Sequence, residues 1–163
     1  MKYIQAYTQL LNKSSDIPLL ALRLLLAYAF LGPAMMKWGD MESTIAWFGN
    51  PDWGLGLPFP ALNAYLAATT EILGVILLIL GLGTRFISLP LLFVMAMAYF
   101  TVHMGNGWLA IGSAANDPEI AERLTMAREI LKEHGNYAWL TQKGSFVILQ
   151  NGAEFVVTYS IML

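Results

Sequence analysis

The chain contains no cysteine. That excludes a disulfide framework, CxxC thiol chemistry, thiolate zinc and cysteine-held iron–sulfur clusters. Any electrons the protein handles must travel on a quinone, a metal or a partner. Charge is also scarce, at 12% of residues, against about 25% in soluble domains. The net charge is −2 and no basic run occurs, so nucleic acid is not an expected partner. Catalytic and nucleotide-binding signatures are missing too: there is no Walker loop, HExxH, dinucleotide fingerprint or nucleophile elbow. Gly54-Leu55-Gly56 and Gly81-Leu82-Gly83 read as turns, because no properly spaced strand and helix follow them.

Apolar sequence fills the space these absences leave. The hydrophobic fraction is 57% and the mean hydropathy is +0.57, values of an integral membrane protein. Its length of 163 residues suits a single domain, 1–163. Apolar runs cover residues 17–36, 62–82, 87–104 and 145–163, each close to the roughly 20 residues that cross the hydrocarbon core as a helix. They are continuous and lack the alternation of a barrel strand. The expected fold is therefore all-α, an integral membrane four-helix bundle. The first run imitates a signal peptide, with Ala27-Tyr28-Ala29 as a cleavage site, but continues through Phe30, Leu31, Met35 and Met36. It reads as an uncleaved first span.

The connections differ in length. Gly81-Leu82-Gly83-Thr84-Arg85 is a tight turn that makes spans two and three antiparallel neighbours. Residues 37–61 carry Trp47, Phe48, Trp53 and Phe59, which favour the headgroup region, so this segment is expected on the membrane surface. Between spans three and four, Asn116-Asp117-Pro118-Glu119 marks a helix start and Gly135-Asn136 a stop. Ile120, Leu124, Ala127, Ile130 and Leu131 share one face of that helix, which predicts a surface amphipathic helix. Lys2, Lys13 and Arg85 lie densely on the terminal side. The expected site is a bacterial inner membrane with both termini cytoplasmic.

Ionisable residues inside spans are costly and face the bundle interior, which makes them the first candidates for function. Glu71 and Glu154 sit near the middle of spans two and four, and Arg23 lies inside span one. Counting at about 1.5 Å per residue puts both carboxylates roughly 13 Å below one interface, within reach of Arg23. Asn151, three residues before Glu154, adds an amide to the same helix face, and Gly74 permits close helix approach beside Glu71. This expected buried polar centre has two readings. It is an ion-pair cluster that holds helices together, or a protonatable site and head-group clamp in which one carboxylate has a raised proton affinity.

A second cluster is expected at the outer mouth, where spans one and three end. Lys37, His103 and Trp108 lie there, with Met36 and Met104 nearby. A histidine with thioethers is a soft donor set for Cu(I). The plainer reading has His103 as a polar group lining an entrance and the methionines as gap-fillers.

Taken in order, these pieces resemble the DoxX family of four-helix membrane proteins over nearly the whole chain. The matching features are Arg23, Lys37, Leu57-Pro58-Phe59-Pro60, Glu71 with Gly74, Gly81-Leu82-Gly83-Thr84-Arg85, and Thr101-Val102-His103 with Asn106-Gly107. Asn106 to Ala110, Gly135-Asn136-Tyr137, Gly144 to Leu149 and Asn151 to Phe155 are similar to its HvfX-like branch. The resemblance implies a redox-associated membrane protein or a maturation factor for metal-binding modified peptides, with chaperone-like relatives further away. It carries no established catalytic residue. The expected cofactor is a quinone before copper, and the expected partners are the lipid bilayer, a membrane or extracytoplasmic protein or peptide, and a second copy of the chain. Leu163 ends the sequence inside an apolar run where relatives continue, so a terminal cytoplasmic segment is expected to be missing.

Two function classes follow. One is an accessory protein beside a redox or peptide-maturation partner. The other is a subunit of a membrane oxidoreductase, binding a quinone-like head group or relaying protons.

Overall fold

The computed structural model describes residues 16–112, 114–115 and 117–163; Lys2, Lys13 and Asn116 lie outside them. The described chain is mainly helical and divides into two compact units, one of residues up to Met97 together with Tyr159–Leu163, the other Ala98–Thr158.

In the first unit, helix α1 spans Asp16–Gly39 and buries Leu26, Ala27, Phe30 and Ala34 on one face. That face includes Arg23 one turn earlier and Lys37 one turn later, so both cations lie along the packed stripe. The opposite face is apolar and exposed, with Leu24, Tyr28 and Met35 among its residues, as a lipid-facing surface must be. Pro33 lies inside α1, a position that transmembrane helices tolerate.

A short helix, α2 (Met41–Gly49), follows, its first turn capped by the Asp40 carboxylate accepting from Ser43 N–H at 3.0 Å. Residues 50–59 fold back in a compact turn in which Leu55 N–H donates to Trp47 O and Leu57 N–H to Phe48 O. Gly54 passes so close to the Trp47 carbonyl that a Cβ would collide with it.

Helix α3 (Pro60–Leu80) packs along α1 and against α2. Its buried residues Ala64, Ala68, Glu71, Val75 and Leu78 are spaced alternately by four and three, the rhythm of a close helix seam. Glu71 occupies a seam position and is 2% exposed. The helix ends in a Schellman motif: Gly81 has φ 69°, its N–H reaches Leu78 O, and Leu82 N–H reaches Leu77 O. Helix α4 (Thr84–Ala98) then packs back, Leu91 filling the space that the missing side chain of Gly74 leaves. The core of this unit is Leu26, Ala27, Phe30, Val75, Leu78, Ile87 and Leu91.

Among the described residues, three helical stretches are long and apolar enough to cross a membrane: Asp16–Gly39, Pro60–Leu80 and Thr84–Asn106. The third continues α4 through a π-helical turn, Tyr99–His103, and a 3-10 turn, Met104–Asn106.

The expected fourth span, 145–163, is not a continuous helix. Ile148–Leu149 forms strand β2, antiparallel to β1 (Ile111–Gly112), and only Glu154–Met162 is helical, as α7. The reason is local. Asn151 takes a left-handed conformation at φ 57°, and Gly152 lies so near the Trp108 and Leu109 main chain that no side chain fits. Mean hydropathy cannot register such a break, although Gln150-Asn151-Gly152 is turn-forming sequence.

The second unit also holds α5 (Pro118–His134) and α6 (Tyr137–Leu140). Asp117 caps α5 by accepting from Glu119 and Ile120 N–H, and Gly135 closes it, where sequence placed both boundaries. Its first turns bury Ile120 and Leu124, whereas Met126 and Ile130 remain exposed. The predicted apolar face is thus only partly covered.

Candidate functional site

The buried carboxylate of Glu71 meets Lys37 rather than Arg23. Lys37 Nζ donates to Glu71 Oε1 at 2.9 Å and Oε2 at 2.8 Å, and a longer contact of 3.5 Å reaches Pro33 O one turn back on its own helix. Helical side chains lean toward the N-terminus. The Lys37 head is therefore drawn inward along α1 instead of rising toward water, as a lysine near a helix end usually does. The two side chains are 19% and 3% exposed. Lys37 donates to both carboxylate oxygens, and a carboxylate offers about four acceptor positions, so Glu71 keeps room for a further donor.

Arg23 stands elsewhere on the seam. Lys37 is fourteen residues further along α1, or about 21 Å. The Arg23 guanidinium lies against Gly81, where any Cβ would strike its Nη1, at the carboxyl end of α3 where the helix dipole favours a cation. The expected Arg23–Glu71 contact is therefore replaced by Lys37–Glu71. The sequence estimate ended span one at Met36 and set Lys37 outside it. In the structure α1 runs on to Gly39, and Lys37 continues the face of Phe30 and Ala34.

Glu154 and Asn151 belong to a second arrangement. Glu154 is the first residue of α7, not mid-span; its Oε2 accepts from Ala110 N–H at 3.1 Å, at a helix end that favours negative charge. The main-chain oxygen of Asn151 accepts from Asn106 Nδ2 at 3.3 Å and lies 2.8 Å from His103 Nδ1. With the proton on Nδ1, the His103 Nε2 lone pair is left available. Gly152, Ala153 and Glu154 donate main-chain N–H groups to Leu109, Gly107 and Trp108 carbonyls. The stretches Asn106 to Ala110 and Asn151 to Glu154 thus run side by side. Trp108 and Met104 are exposed, as is Met36 on α1. Among the described residues, no group of three or more His, Asp or Glu side chains could hold a metal ion.

Sequence reasoning overlooked Arg85. It lines a cleft in the first unit together with Arg23; its position in a short turn suggested an orientation signal and part of a family motif, not a site.

Comparison with known proteins agrees with the resemblance at family level. The DoxX family profile matches residues 18–104, just over half the chain. A Bacillus subtilis protein named "Putative oxidoreductase CatD" is 33% identical over 94 residues, covering 58% of this chain and 66% of that protein. An uncharacterized protein of Haemophilus influenzae is 32% identical over 98 residues, covering 58% of this chain and 62% of its own. The chain thus spans a little under two thirds of the length of each. No solved structure matches.

Proposed function

Because this chain belongs to the DoxX family of membrane proteins, we propose that it is a membrane accessory protein working beside a redox or peptide-maturation partner, with the Lys37–Glu71 pair as its central clasp. The observation that carries this reading is the closed geometry of the pair. Lys37 holds both carboxylate oxygens of Glu71, so the pair ties α1 to α3 and its cation is already matched by a carboxylate. A bilayer-embedded clasp of this kind suits a scaffold that holds a partner. The HvfX-like branch and its maturation role draw support from the neighbouring stretches Asn106 to Ala110 and Asn151 to Glu154. In that setting His103 Nε2 and the Met104 thioether would be donors for Cu(I). We place the protein in a bacterial inner membrane with the Gly81–Thr84 turn on the cytoplasmic side, on the density of basic residues around it.

The second reading, a membrane oxidoreductase subunit, is favoured by the name of the Bacillus subtilis relative and by the spare acceptor capacity of Glu71. Lys37 and Glu71 would hold a quinone-like head group between them. Such a group exchanges electrons and protons when bound. A hydroxyl of its reduced form can donate to Glu71 directly, whereas a carbonyl of the oxidised form must compete with Glu71 for Lys37.

Glu71→Gln separates the two in gently extracted full-length protein. As an accessory clasp, the variant loses thermal stability, and partner activity falls only in proportion to protein level. Activity lost from protein that stays folded, together with loss of co-extracted quinone, overturns the accessory reading in favour of the oxidoreductase subunit.

A further inference from the structure

The first unit contains a cleft of about 680 Å³ whose polar wall is Arg23, Arg85, Asp16, Thr84 and Ser88. The rest is apolar, Leu22, Leu26, Leu89 and Leu92 among it. That volume lies in the range of small-molecule sites. It sits at the end of the membrane-spanning helices, where α1 is described from Asp16 and α3 turns into α4 through Gly81.

Two features point to an anionic occupant. Arg23 Nε is buried and has no hydrogen-bond partner among the described residues, and a buried unmet donor has a cost that a ligand acceptor removes. Arg85 belongs to no ion pair among the described residues, and Asp16, the acid in the wall, is not within ion-pair distance of either arginine. Guanidinium forks match phosphate oxygens in pairs. Directly beyond them the leucines offer a surface for an acyl chain, on a protein whose outer face is already lipid-exposed.

We propose that this cleft binds an anionic phospholipid, its phosphate between Arg23 and Arg85 and its acyl chain along Leu22, Leu26 and Leu92. The site is independent of the Lys37–Glu71 pair. It places a resident lipid against the α3–α4 turn, so the composition of the surrounding leaflet sets the stability of that end of the unit.

The test uses purified full-length protein in nanodiscs of phosphatidylcholine with or without phosphatidylglycerol. Lipid retained through detergent exchange is counted by native mass spectrometry. The expected result is one retained phosphatidylglycerol in preference to phosphatidylcholine, with retention falling at least about fivefold in Arg85→Gln, the size expected for one basic residue at a membrane surface. Arg85 is exposed, so that variant keeps its fold, which circular dichroism checks; Arg23→Gln should lower retention further. Equal retention of the two lipids, or unchanged retention in Arg85→Gln, overturns the proposal. So does displacement of the retained lipid by millimolar inorganic phosphate, which would mark a site for the free anion.

Discussion

Lys37 reaches back down its own helix to grip both carboxylate oxygens of Glu71, at 2.9 and 2.8 Å, across the α1–α3 seam. This pair sits where the seam would otherwise carry an apolar residue. Its energetics follow from burial. Removing one partner strands a charge and costs roughly 3–5 kcal/mol, whereas replacing both by apolar side chains of similar size is close to neutral. Lys37→Met and Glu71→Leu should each destabilise the protein by about that amount, and the double variant should recover most of the loss. Reversible unfolding in mixed micelles measures all three. Additive losses in the double variant would show that the two groups act separately.

That relationship also shows what sequence could and could not reveal. The three long helices were legible because their apolar runs are uninterrupted, and α5 because Asp117-Pro118 and Gly135 are strong local signals. The cost of a charge inside an apolar run placed Glu71 inward before any partner was known. Its partner was missed because depth counting depended on where α1 was made to end, and three further residues bring Lys37 onto the helix. The break at Asn151 was hidden for another reason. Hydropathy averages over a window, while one left-handed residue and one glycine under a neighbouring main chain redirect the backbone.

The crossing of residues 107–110 with 151–154 makes a sharp distinction between neighbours. A Cβ at Gly152 would meet main-chain atoms of Trp108 and Leu109, which cannot rotate away. Gly152→Ala should therefore cost about 1–3 kcal/mol or more. Asn151 holds His103 and Asn106 through its main-chain oxygen, so its side chain is dispensable there. Asn151→Gly should be near neutral, while Asn151→Ala, forced to φ 57°, should lose about 1 kcal/mol. Thermal unfolding of the three variants gives the order. Equal losses for glycine and alanine at position 151 would assign the role to the side chain.

Asp40 supplies a pH-dependent element outside the spans. Accepting from Ser43 N–H holds its carboxyl below the ordinary range. A lowered value means the cap contributes fully above the unfolded carboxyl's pKa and loses that contribution as pH falls through the lowered folded value. Amide exchange at Ser43 and neighbouring residues of α2 should accelerate relative to α3 as pH drops below about 4, after correction for intrinsic rates. Asp40→Asn keeps an acceptor at the cap and removes the titration. Its α2 protection should be flat over the same range, and an unchanged pH profile would point to a different group.

The absence of cysteine makes the chain suited to single-cysteine topology mapping. Trp53 lies in the turn before α3 and Leu82 in the turn after it, both exposed. The 21 residues of α3 between these turns rise about 32 Å, enough to cross the hydrocarbon core. A membrane-impermeant maleimide applied to intact bacterial spheroplasts should label Trp53→Cys and spare Leu82→Cys until the membrane is opened. The reverse pattern would invert the proposed orientation and move the arginine-lined cleft to the outer leaflet. Labelling of both positions in sealed cells would contradict α3 as a span, whatever its hydropathy.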